Sequence, residues 1–425
     1  MKNHYNAAAS PRWTRTLTFV IVAVALAVGA WLRFANLAAR DMSADEGASW
    51  AAAAAPSVGE VLLRHSRLNP ATLGLDDAAL HGWMREFGDG LAEMRALSAS
   101  AGTLAILLVF AVTRELLQLD GAGALAAGTQ DADATNGKIG DDNFVRAEYD
   151  LVAAVAALVF AVNLVTIKYS REARMYPLLL LALLVQFTCF VRATRRGGLA
   201  NYAGAAIFTA IAIALHPCAL FAFTVEGLWI LHLLWRARFK FGTIEVRRPL
   251  RLIAALAAGV ALLAPTLPRM LRAGTDAASH GVFTWISRPA WWELFALFNK
   301  ATGTFAFPVM AALAIWGVVS AWRRARAGVS FLLLWMWAPP LIVMILSYVL
   351  RPAFVERYLL SSFVPFFILV AIGVWELPRL RGLSRDRELS HSGQPARHRA
   401  IAAPVEQFRD RPAWTPAAAR VAALV

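Results

Sequence analysis

Ten long apolar segments recur along the chain, and they constrain its fold more than any other feature. About twenty apolar residues are needed for one helical membrane span. The segments cover residues 16–35, 96–118, 150–167, 177–192, 200–216, 217–235, 250–268, 304–322, 329–350 and 358–376. They predict an all-α polytopic membrane protein with about ten transmembrane helices. His216-Pro217 alone separates the fifth segment from the sixth.

The charge content agrees with a membrane protein and not with a nucleic-acid-binding protein. Charged residues make up 16% of the chain, against roughly a quarter in soluble domains. The formal net charge is +14, but the basic residues fall in short clusters between apolar segments, as the positive-inside rule describes. The lipid bilayer is therefore an expected partner and nucleic acid is not. Cys189 and Cys218 lie in apolar sequence and indicate neither a disulfide framework nor a zinc site.

Alternation of the segments assigns each connection to one side of the membrane. The dense basic clusters at 192–196, 236–251, 323–326 and 379–387 fall on the side of the amino terminus, which is therefore predicted to be cytoplasmic. The opposite side receives 36–95, 168–176, His216-Pro217, 269–303 and 351–357. This pattern predicts a multi-pass protein of the inner (plasma) membrane.

Residues 1–376 are predicted to form one transmembrane domain. Its first extracytoplasmic loop, 36–95, is long, and short helices are expected at 56–65 and 75–88. The second carries apolar residues at helical spacing and is expected to lie in the membrane interface. Residues 119–149, acidic and rich in Gly and Ala, predict a flexible cytoplasmic insertion, and 377–425 predict a basic, disordered cytoplasmic tail. The first segment is interpreted as a retained signal anchor, with a cleavable signal peptide as the alternative.

Three acids, Asp41, Asp45 and Glu46, follow the first apolar segment. Solvated acids at a helix end are the ordinary interpretation, and it is favoured for Asp41. Adjacent carboxylates raise each other's pKa, so one member of the Asp45-Glu46 pair is suited to accept a proton near neutral pH. The pair therefore predicts a general base that activates a hydroxyl acceptor from the aqueous side.

Cations crowd into the short connection KYSREARMYP, residues 168–177. An interfacial belt of basic and tyrosine side chains is the ordinary interpretation. Arg171 and Arg174 are three residues apart, so on a helical turn they would share a face and converge on one anion. Because paired Arg contacts suit phosphate, the connection predicts a phosphate site, with Lys168 as a weaker contributor.

A second cationic group, Arg357 beside Tyr358, is predicted at the same membrane level. His216, at the mouth of another apolar segment, either breaks the helix or contacts substrate. Together with the acids, these cations predict a lipid-phosphate substrate whose tail lies among the helices. The further candidate substrate contacts are Asp41, Glu172, Tyr176, His216 and Tyr358. The sequence contains no HExxH, GxSxG or P-loop pattern, which argues against metalloproteases, serine hydrolases and ATPases.

The order of these motifs resembles a known family. Asp45-Glu46, then NP at 69–70, FGDGLAEMRALSA at 87–99, REARMY at 171–176, His216-Pro217 and ERYLLSSFVPFFIL at 356–369 follow one another as in membrane glycosyltransferases of the GT-C type. The most similar group is the glycosyltransferase 39-like family, which includes protein O-mannosyltransferases and lipid A aminoarabinose transferases. The resemblance covers roughly residues 16–376.

The resemblance implies a GT-C fold and an inverting sugar transfer on the extracytoplasmic face. The donor would be a polyprenyl-phosphate-linked sugar and the acceptor an extracytoplasmic glycan, lipid or protein. Asp45 would be the general base, supported by Glu46. Arg171, Arg174 and Arg357, with Lys168, would bind the lipid phosphate.

The chain also departs from the family pattern. It has Asn69-Pro70-Ala71 where relatives often have His-Pro-Pro, and Arg171 where many have Gln. The first of these differences argues against transferring any acceptor contact from that loop.

Two questions stay open at this stage. No spacing requires a cofactor, although Asp45, Glu46 and Glu172 could share a divalent metal ion. A transporter or flippase for a lipid-linked sugar is the alternative function, and a structural assembly subunit comes third. Transport predicts ionisable residues deep within the spans, where Glu226 is the main example.

Overall fold

The computed structural model describes residues 11–120, 135–238, 243–279 and 286–391, which fold into helices without any strand. The amino-terminal helices are α1 (Pro11–Phe34), α2 (Ala44–Ala53), α3 (Val58–Leu68), α4 (Leu75–Phe87), α5 (Leu91–Leu117), α6 (Thr135–Ala161), α7 (Leu164–Ser170) and α8 (Tyr176–Arg196). The remaining helices are α9 (Leu199–Leu215), α10 (Ala219–Ala237), α11 (Thr243–Ala261), α12 (Leu267–Ser279), α13 (Glu293–Thr302), α14 (Phe307–Ala321), α15 (Arg326–Val349), the 3₁₀ helix η1 (Glu356–Ser362) and α16 (Phe363–His391). The predicted all-α class is confirmed for these ranges.

Within the described ranges, six helical segments are long and apolar enough to cross a membrane. They are Trp13–Phe34 of α1, α5, α8, α10, α15, and Glu356–Leu377 across η1 and α16. Two bent helix pairs raise the number to eight if each forms one span: α6 with α7, bent by 60°, and α13 with α14, bent by 107°. A multi-pass membrane protein is thus plausible from the structure, with six to eight candidate spans instead of the ten predicted.

The two missing spans have physical explanations. The helix α9 has 17 residues, about 26 Å at 1.5 Å per residue, which is short for a bilayer core of roughly 30 Å. The helix α11 contains Arg247, Arg248 and Arg251 in its first half, so its uninterrupted apolar part is shorter still. The sequence therefore contains more long apolar segments than the described structure has helices able to cross a membrane.

The predicted break at His216-Pro217 is confirmed. His216 is extended, with φ −164° and ψ 135°, because a residue before proline is disfavoured in the helical region. Its Nδ1 accepts a hydrogen bond of 3.1 Å from the backbone N–H of Cys218. The corner between α9 and α10 is thus fixed by both Pro217 and the imidazole ring.

Three short helices connect α1 to α5. The predicted helices at 56–65 and 75–88 correspond to α3 and α4, whereas α2 was not predicted. Of the predicted apolar stripe along α4, Leu75, Ala79 and Phe87 are exposed, whereas Asp77 and Leu80 are buried. The apolar stripe that the sequence assigned to a membrane interface is therefore directed away from the protein.

Helices extend into two of the regions that were predicted to be flexible. Residues 121–134 of the expected insertion lie outside the described residues, but the chain is helical from Thr135 onward. Likewise, α16 continues to His391, so the start of the predicted tail is helical. Residues 392–425 lie outside the described residues.

Charged side chains gather at two opposite ends of the helix bundle. At one end, here called the basic end, Glu115 pairs with Arg192, Arg195 and Arg196. The other end, here called the site end, is formed by residues 35–46, 91–98, 171–176, 216–217 and 356–358, which contact one another through the interactions described below. The acids singled out from the sequence therefore share one end, separate from this basic cluster.

Close backbone contact joins α14 to α16 without intervening side chains. A Cβ atom on Gly373 would collide with the carbonyl oxygen of Leu313, and one on Gly317 would collide with that of Leu369. Small residues allow this approach between membrane helices. The two glycines therefore set the distance between α14 and α16.

We expect Gly373→Ala to destabilise the protein by about 1–3 kcal/mol, because the added methyl group overpacks this contact. Unfolding in detergent, followed by tryptophan fluorescence, measures the effect. Gly227→Ala is the matched control, since a Cβ atom there meets nothing within 4 Å. That control should be neutral or stabilise by up to roughly 1 kcal/mol. Equal behaviour of the two variants would contradict the proposed role of the glycine contact.

Candidate functional site

The buried carboxylate of Glu46 organises the site end. Its Oε1 accepts hydrogen bonds from Arg95 Nε at 2.8 Å and from the backbone N–H of Ala173 at 2.9 Å. Its Oε2 accepts from Arg95 Nη2 at 2.9 Å and from the N–H and hydroxyl of Ser43. The contacts with Ser43 complete a capping box at the start of α2. Since a carboxylate has about four lone-pair sites, Glu46 has none left for a substrate proton.

Arg95 extends the same network to the chain after α1. Its Nη1 donates to the carbonyls of Leu37 and Arg40, at 2.6 and 2.9 Å, and its Nη2 donates to that of Asp41 at 3.0 Å. The Arg95 and Glu46 side chains are only 4% and 2% exposed. One ion pair thus fixes α2, α5, the chain after α1 and the segment around Ala173 relative to one another.

The electrostatic state of Glu46 differs from the sequence-based expectation. Burial alone raises the pKa of Glu46, but hydrogen bonds from Arg95, Ser43 and Ala173 outweigh burial and lower the pKa to about 2. The expectation that the adjacent acids raise each other's pKa is therefore wrong for Glu46. The physical reason is that Arg95, which is distant in sequence, places a positive charge against the Glu46 carboxylate and favours its ionised form.

Asp45 has the opposite environment although it is the preceding residue. Successive residues of a helix differ in direction by about 100°, so its side chain points away from Arg95. It is 54% exposed, and its Oδ2 lies 3.3 Å from Arg357 Nη1. Asp45 is therefore the carboxylate of the pair that a molecule from outside can reach.

Arg171 and Arg174 diverge, contrary to the prediction that they converge on one anion. Arg171 Nη2 donates to the carbonyls of Ala35 and Asn36, at 2.7 and 3.1 Å, beyond the end of α1. Arg174 Nη1 donates to the carbonyl of Asp45 at 2.8 Å and to Ser49 Oγ at 3.1 Å. They separate because α7 ends at Ser170, so the two residues do not share a helical face.

Arg357 takes the central position among the predicted cations. Its guanidinium carbon lies 5.7 Å from the ring centre of Tyr176 and 5.9 Å from that of Tyr358. His216 completes this aromatic group, with ring centres 6.0 Å from Tyr176 and 5.2 Å from Tyr358. The structure therefore brings Asp45 and four predicted residues from distant parts of the sequence to one place.

His216 is uncharged in this environment. Burial, and then the positive charges of Arg174 and Arg357, lower the pKa of His216 to about 3. The hydrogen bond that Nδ1 accepts from Cys218 also requires that nitrogen to be unprotonated. His216 therefore contributes an aromatic surface and a neutral imidazole to the group.

The remaining predicted residues lie around this centre. Burial raises the pKa of Glu172, and the nearby charges of Lys168, Arg357 and Arg174 oppose that rise. Lys168 Nζ is 4.7 Å from the ring centre of Tyr169. Asp41 is exposed, and its backbone carbonyl is the atom that contacts Arg95. These residues border the site without a described hydrogen bond to the Asp45 side chain.

Sequence reasoning missed Arg95 and a buried group formed by His65, Asp76 and Asp77. Arg95 lies at the edge of the second apolar segment, where a buried cation needs a partner of opposite charge. That position could have indicated from the sequence that Arg95 forms a buried ion pair. One ligand atom from each residue of the His65 group lies within 4.8 Å of the others, close enough for the three to share one ion. Among the described residues no such group contains Asp45, Glu46 or Glu172, the set from which a shared metal ion was considered.

Comparisons with known proteins add no family assignment. No protein-family model matches the chain, and no curated protein matches it. The chemistry of the site therefore rests on its geometry: a solvent-accessible carboxylate, a guanidinium group beside it, and aromatic rings around that group.

We expect Glu46→Gln to destabilise the fold by about 3–5 kcal/mol, because the charge of Arg95 would stay buried without a counter-ion. The stabilisation that comes from the lowered pKa is complete above the unfolded value of about 4.3. It is lost as the pH falls through about 2, so a measurement at pH 7 captures all of it. Unfolding in detergent provides the measurement.

The control for this prediction is Glu60→Gln. Glu60 and Arg64 form a pair of 3.4 Å with both side chains more than one-third exposed. Loss of such a surface pair costs only about 0.2–1 kcal/mol. If both variants lost the same small amount of stability, Glu46 would not organise the site as described.

Proposed function

We propose that the chain is an integral-membrane glycosyltransferase that uses a polyprenyl-phosphate-linked sugar and transfers it with inversion. One observation carries the proposal: the half-exposed Asp45 carboxylate faces Arg357 at 3.3 Å, inside a group of side chains assembled from distant segments. The lipid-phosphate chemistry expected from the sequence requires a base and a phosphate-binding cation side by side. Asp45 and Arg357 fit those two roles.

Asp45 is proposed as the general base. A carboxylate oxygen of Asp45 takes the proton of an acceptor hydroxyl while the hydroxyl oxygen attacks the anomeric carbon of the donor sugar. The bond between that carbon and the phosphate oxygen breaks, and polyprenyl phosphate leaves with the bonding electrons. Glu46, fully occupied by Arg95 and its neighbours, is then a positioning residue for α2.

Arg357 and Arg174 are proposed to stabilise the departing phosphate. A phosphate that arrives beside Arg357 competes with Asp45 for the guanidinium group, which frees the carboxylate to accept the hydroxyl proton. Fixed cations act where negative charge develops, an effect of several kcal/mol in enzyme sites. Arg171 is a weaker candidate than expected because it binds the carbonyls after α1. Lys168 stays a peripheral candidate, and Tyr176, His216 and Tyr358 are proposed donor contacts.

The proposed location of this reaction is the extracytoplasmic face of the inner membrane. The site end lies opposite the basic end, where Glu115 is surrounded by three arginines. Because clustered basic residues favour the cytoplasmic side, the site end would face outward. A lipid donor could then enter from the bilayer and an acceptor from the aqueous phase.

We expect Asp45→Asn to lower sugar transfer by about 100- to 10,000-fold, the usual contribution of a general base. Mass spectra of surface glycans compare cells that carry wild type, the variant or no copy of this chain, and membrane levels of the protein are measured in parallel. Glu60→Gln, an exposed acid of the same connection, is the control and should behave as wild type. If cells that carry Asp45→Asn showed the same glycan modification as wild type, Asp45 would not be the general base.

We expect opposite labelling of the two ends by a membrane-impermeant maleimide. In intact cells, Asp89→Cys, in the exposed turn before α5, should react, and Arg323→Cys, in the turn after α14, should react only after permeabilisation. Both positions are exposed, and the native Cys218 and Cys189 are buried and half-buried. The cysteine-bearing parent measures background labelling. Labelling of Arg323→Cys alone in intact cells would place the proposed reaction in the cytosol and overturn it.

A transporter of lipid-linked sugars is the second candidate, and one observation favours it. Glu226 is completely buried in α10, and its Oε2 accepts a hydrogen bond of 3.0 Å from Gln186 Nε2. Ionisable groups within spans often mark transport paths. Purified protein in detergent separates the two functions, because release of polyprenyl phosphate from a donor requires no second membrane leaflet whereas transport does.

A further inference from the structure

A second polar cluster lies beside the candidate site, in the connection between α1 and α5. His65, near the end of α3, and Asp76 and Asp77, in the first turn of α4, are all at least nine-tenths buried. His65 Nδ1 lies 2.6 Å from Asp77 Oδ2, and one ligand atom from each residue falls within 4.8 Å of the others. We propose that these three residues bind a divalent transition-metal ion, with zinc as the best match to their donor atoms.

The donor set favours such an ion. One imidazole nitrogen and two carboxylate oxygens are ligands that zinc accepts in tetrahedral sites, and imidazole favours transition metals over magnesium or calcium. The two adjacent carboxylates also concentrate negative charge in a place sheltered from water. A divalent cation would compensate that charge.

An unpartnered oxygen provides an independent indication of a ligand. Asp76 is 7% exposed, and its Oδ1 is buried without a hydrogen-bond partner. Leaving a buried polar atom unsatisfied is costly. A metal–oxygen bond would satisfy this atom.

The His65 ring is held in the orientation that a metal ligand needs. Its Nε2 lies 2.7 Å from Thr72 Oγ1, which itself donates to the carbonyl of Asn69 at 3.1 Å. With the Thr72 hydroxyl so directed, Nε2 carries the proton and Nδ1 faces the carboxylates. Gly74 packs on the ring, since a Cβ atom there would approach His65 Cγ to 2.6 Å. Such outer contacts fix the tautomer and orientation of metal-binding histidines.

A small cavity next to the cluster can supply the fourth ligand. Its volume is about 10 Å³, and its polar lining consists of Ser49, Asp76, Asp77, Ser98 and Arg174. That size corresponds to about one water molecule, which is the ligand that completes many three-residue zinc sites.

Metal binding would replace the proton shared by His65 and Asp77. Two ligands on one zinc ion lie roughly 3–3.5 Å apart for bonds of about 2.0–2.1 Å, so the 2.6 Å contact must open by less than about 1 Å. Proton release on binding is the normal consequence.

The consequence for the protein would be structural. The ion would join α3 to α4, and through the cavity it would lie close to Arg174, whose Nη1 contacts the Asp45 carbonyl. The metal would thereby stabilise the connection that carries Asp45. This inference does not depend on the proposed function, since metal binding is measured without any sugar transfer.

The test measures metal in the full-length protein, purified in detergent with an affinity tag that lacks histidines. After chelation and reloading with zinc, wild type is expected to retain one ion per chain through gel filtration. His65→Asn and Asp76→Asn are expected to retain none. Asp89→Asn, an exposed acid of the same connection, is the matched control and should keep the ion. Equal zinc content in wild type, His65→Asn and Asp76→Asn would overturn the proposal, as would absence of zinc from wild type.

A milder variant keeps the proposal testable if the ligand variants fail to fold. Thr72→Val removes the outer partner of His65 and should weaken zinc affinity by about 10- to 100-fold, measured by competition with a chromophoric chelator. Unchanged affinity in this variant, or an unchanged melting temperature of wild type after chelation and after zinc addition, would count against the site. Wild-type melting should rise with zinc, and Thr72→Val should need more zinc for the same rise.

Discussion

The buried ion pair between Glu46 and Arg95 is the constraint on which the rest of the site depends. Removing two charges from water is expensive, and a buried pair often contributes little net stability compared with apolar residues of the same size. Its clearest effect here is geometric. Arg95 contacts three carbonyls after α1 while Glu46 contacts Ser43 and Ala173. The Glu46–Arg95 pair thus fixes both α2, which carries Asp45, and the segment around Ala173, which carries Arg174.

The Asp45-Glu46 pair shows how one helical turn divides two similar side chains between different roles. Glu46 lies at the third position of α2, where the capping box requires a carboxylate directed back toward Ser43. Asp45 precedes it and therefore faces outward, toward Arg357. The same local geometry that occupies Glu46 keeps Asp45 accessible. Adjacency in sequence does not imply a shared proton.

Local patterns predicted much of the fold, and long-range contacts account for what they missed. The spacing of apolar residues located α4, and Pro217 located the break after α9, because both signals act within a few residues. The prediction that Arg171 and Arg174 converge on one anion was wrong. It assumed that both residues lie on one helix, whereas α7 ends at Ser170. The role of Arg95 was missed because its partner Glu46 lies 49 residues away in the sequence. The buried acids of α4 were missed because Asp77 contacts His65 of a different helix, α3. Apolar segments also overestimated the spans, since the segment 250–268 includes the end of α11 at Ala261 and the start of α12 at Leu267.

The two ends of the bundle differ in how accessible their carboxylates are: the Glu115 side chain is 8% exposed and that of Asp45 is 54% exposed. At the basic end, the Glu115 carboxylate receives hydrogen bonds on both oxygens from Arg192, Arg195 and Arg196. At the site end, Asp45 is half exposed beside the guanidinium group of Arg357. An acceptor hydroxyl beside Asp45 and a donor phosphate beside Arg357 would use both groups, which is why sugar transfer is proposed for this end.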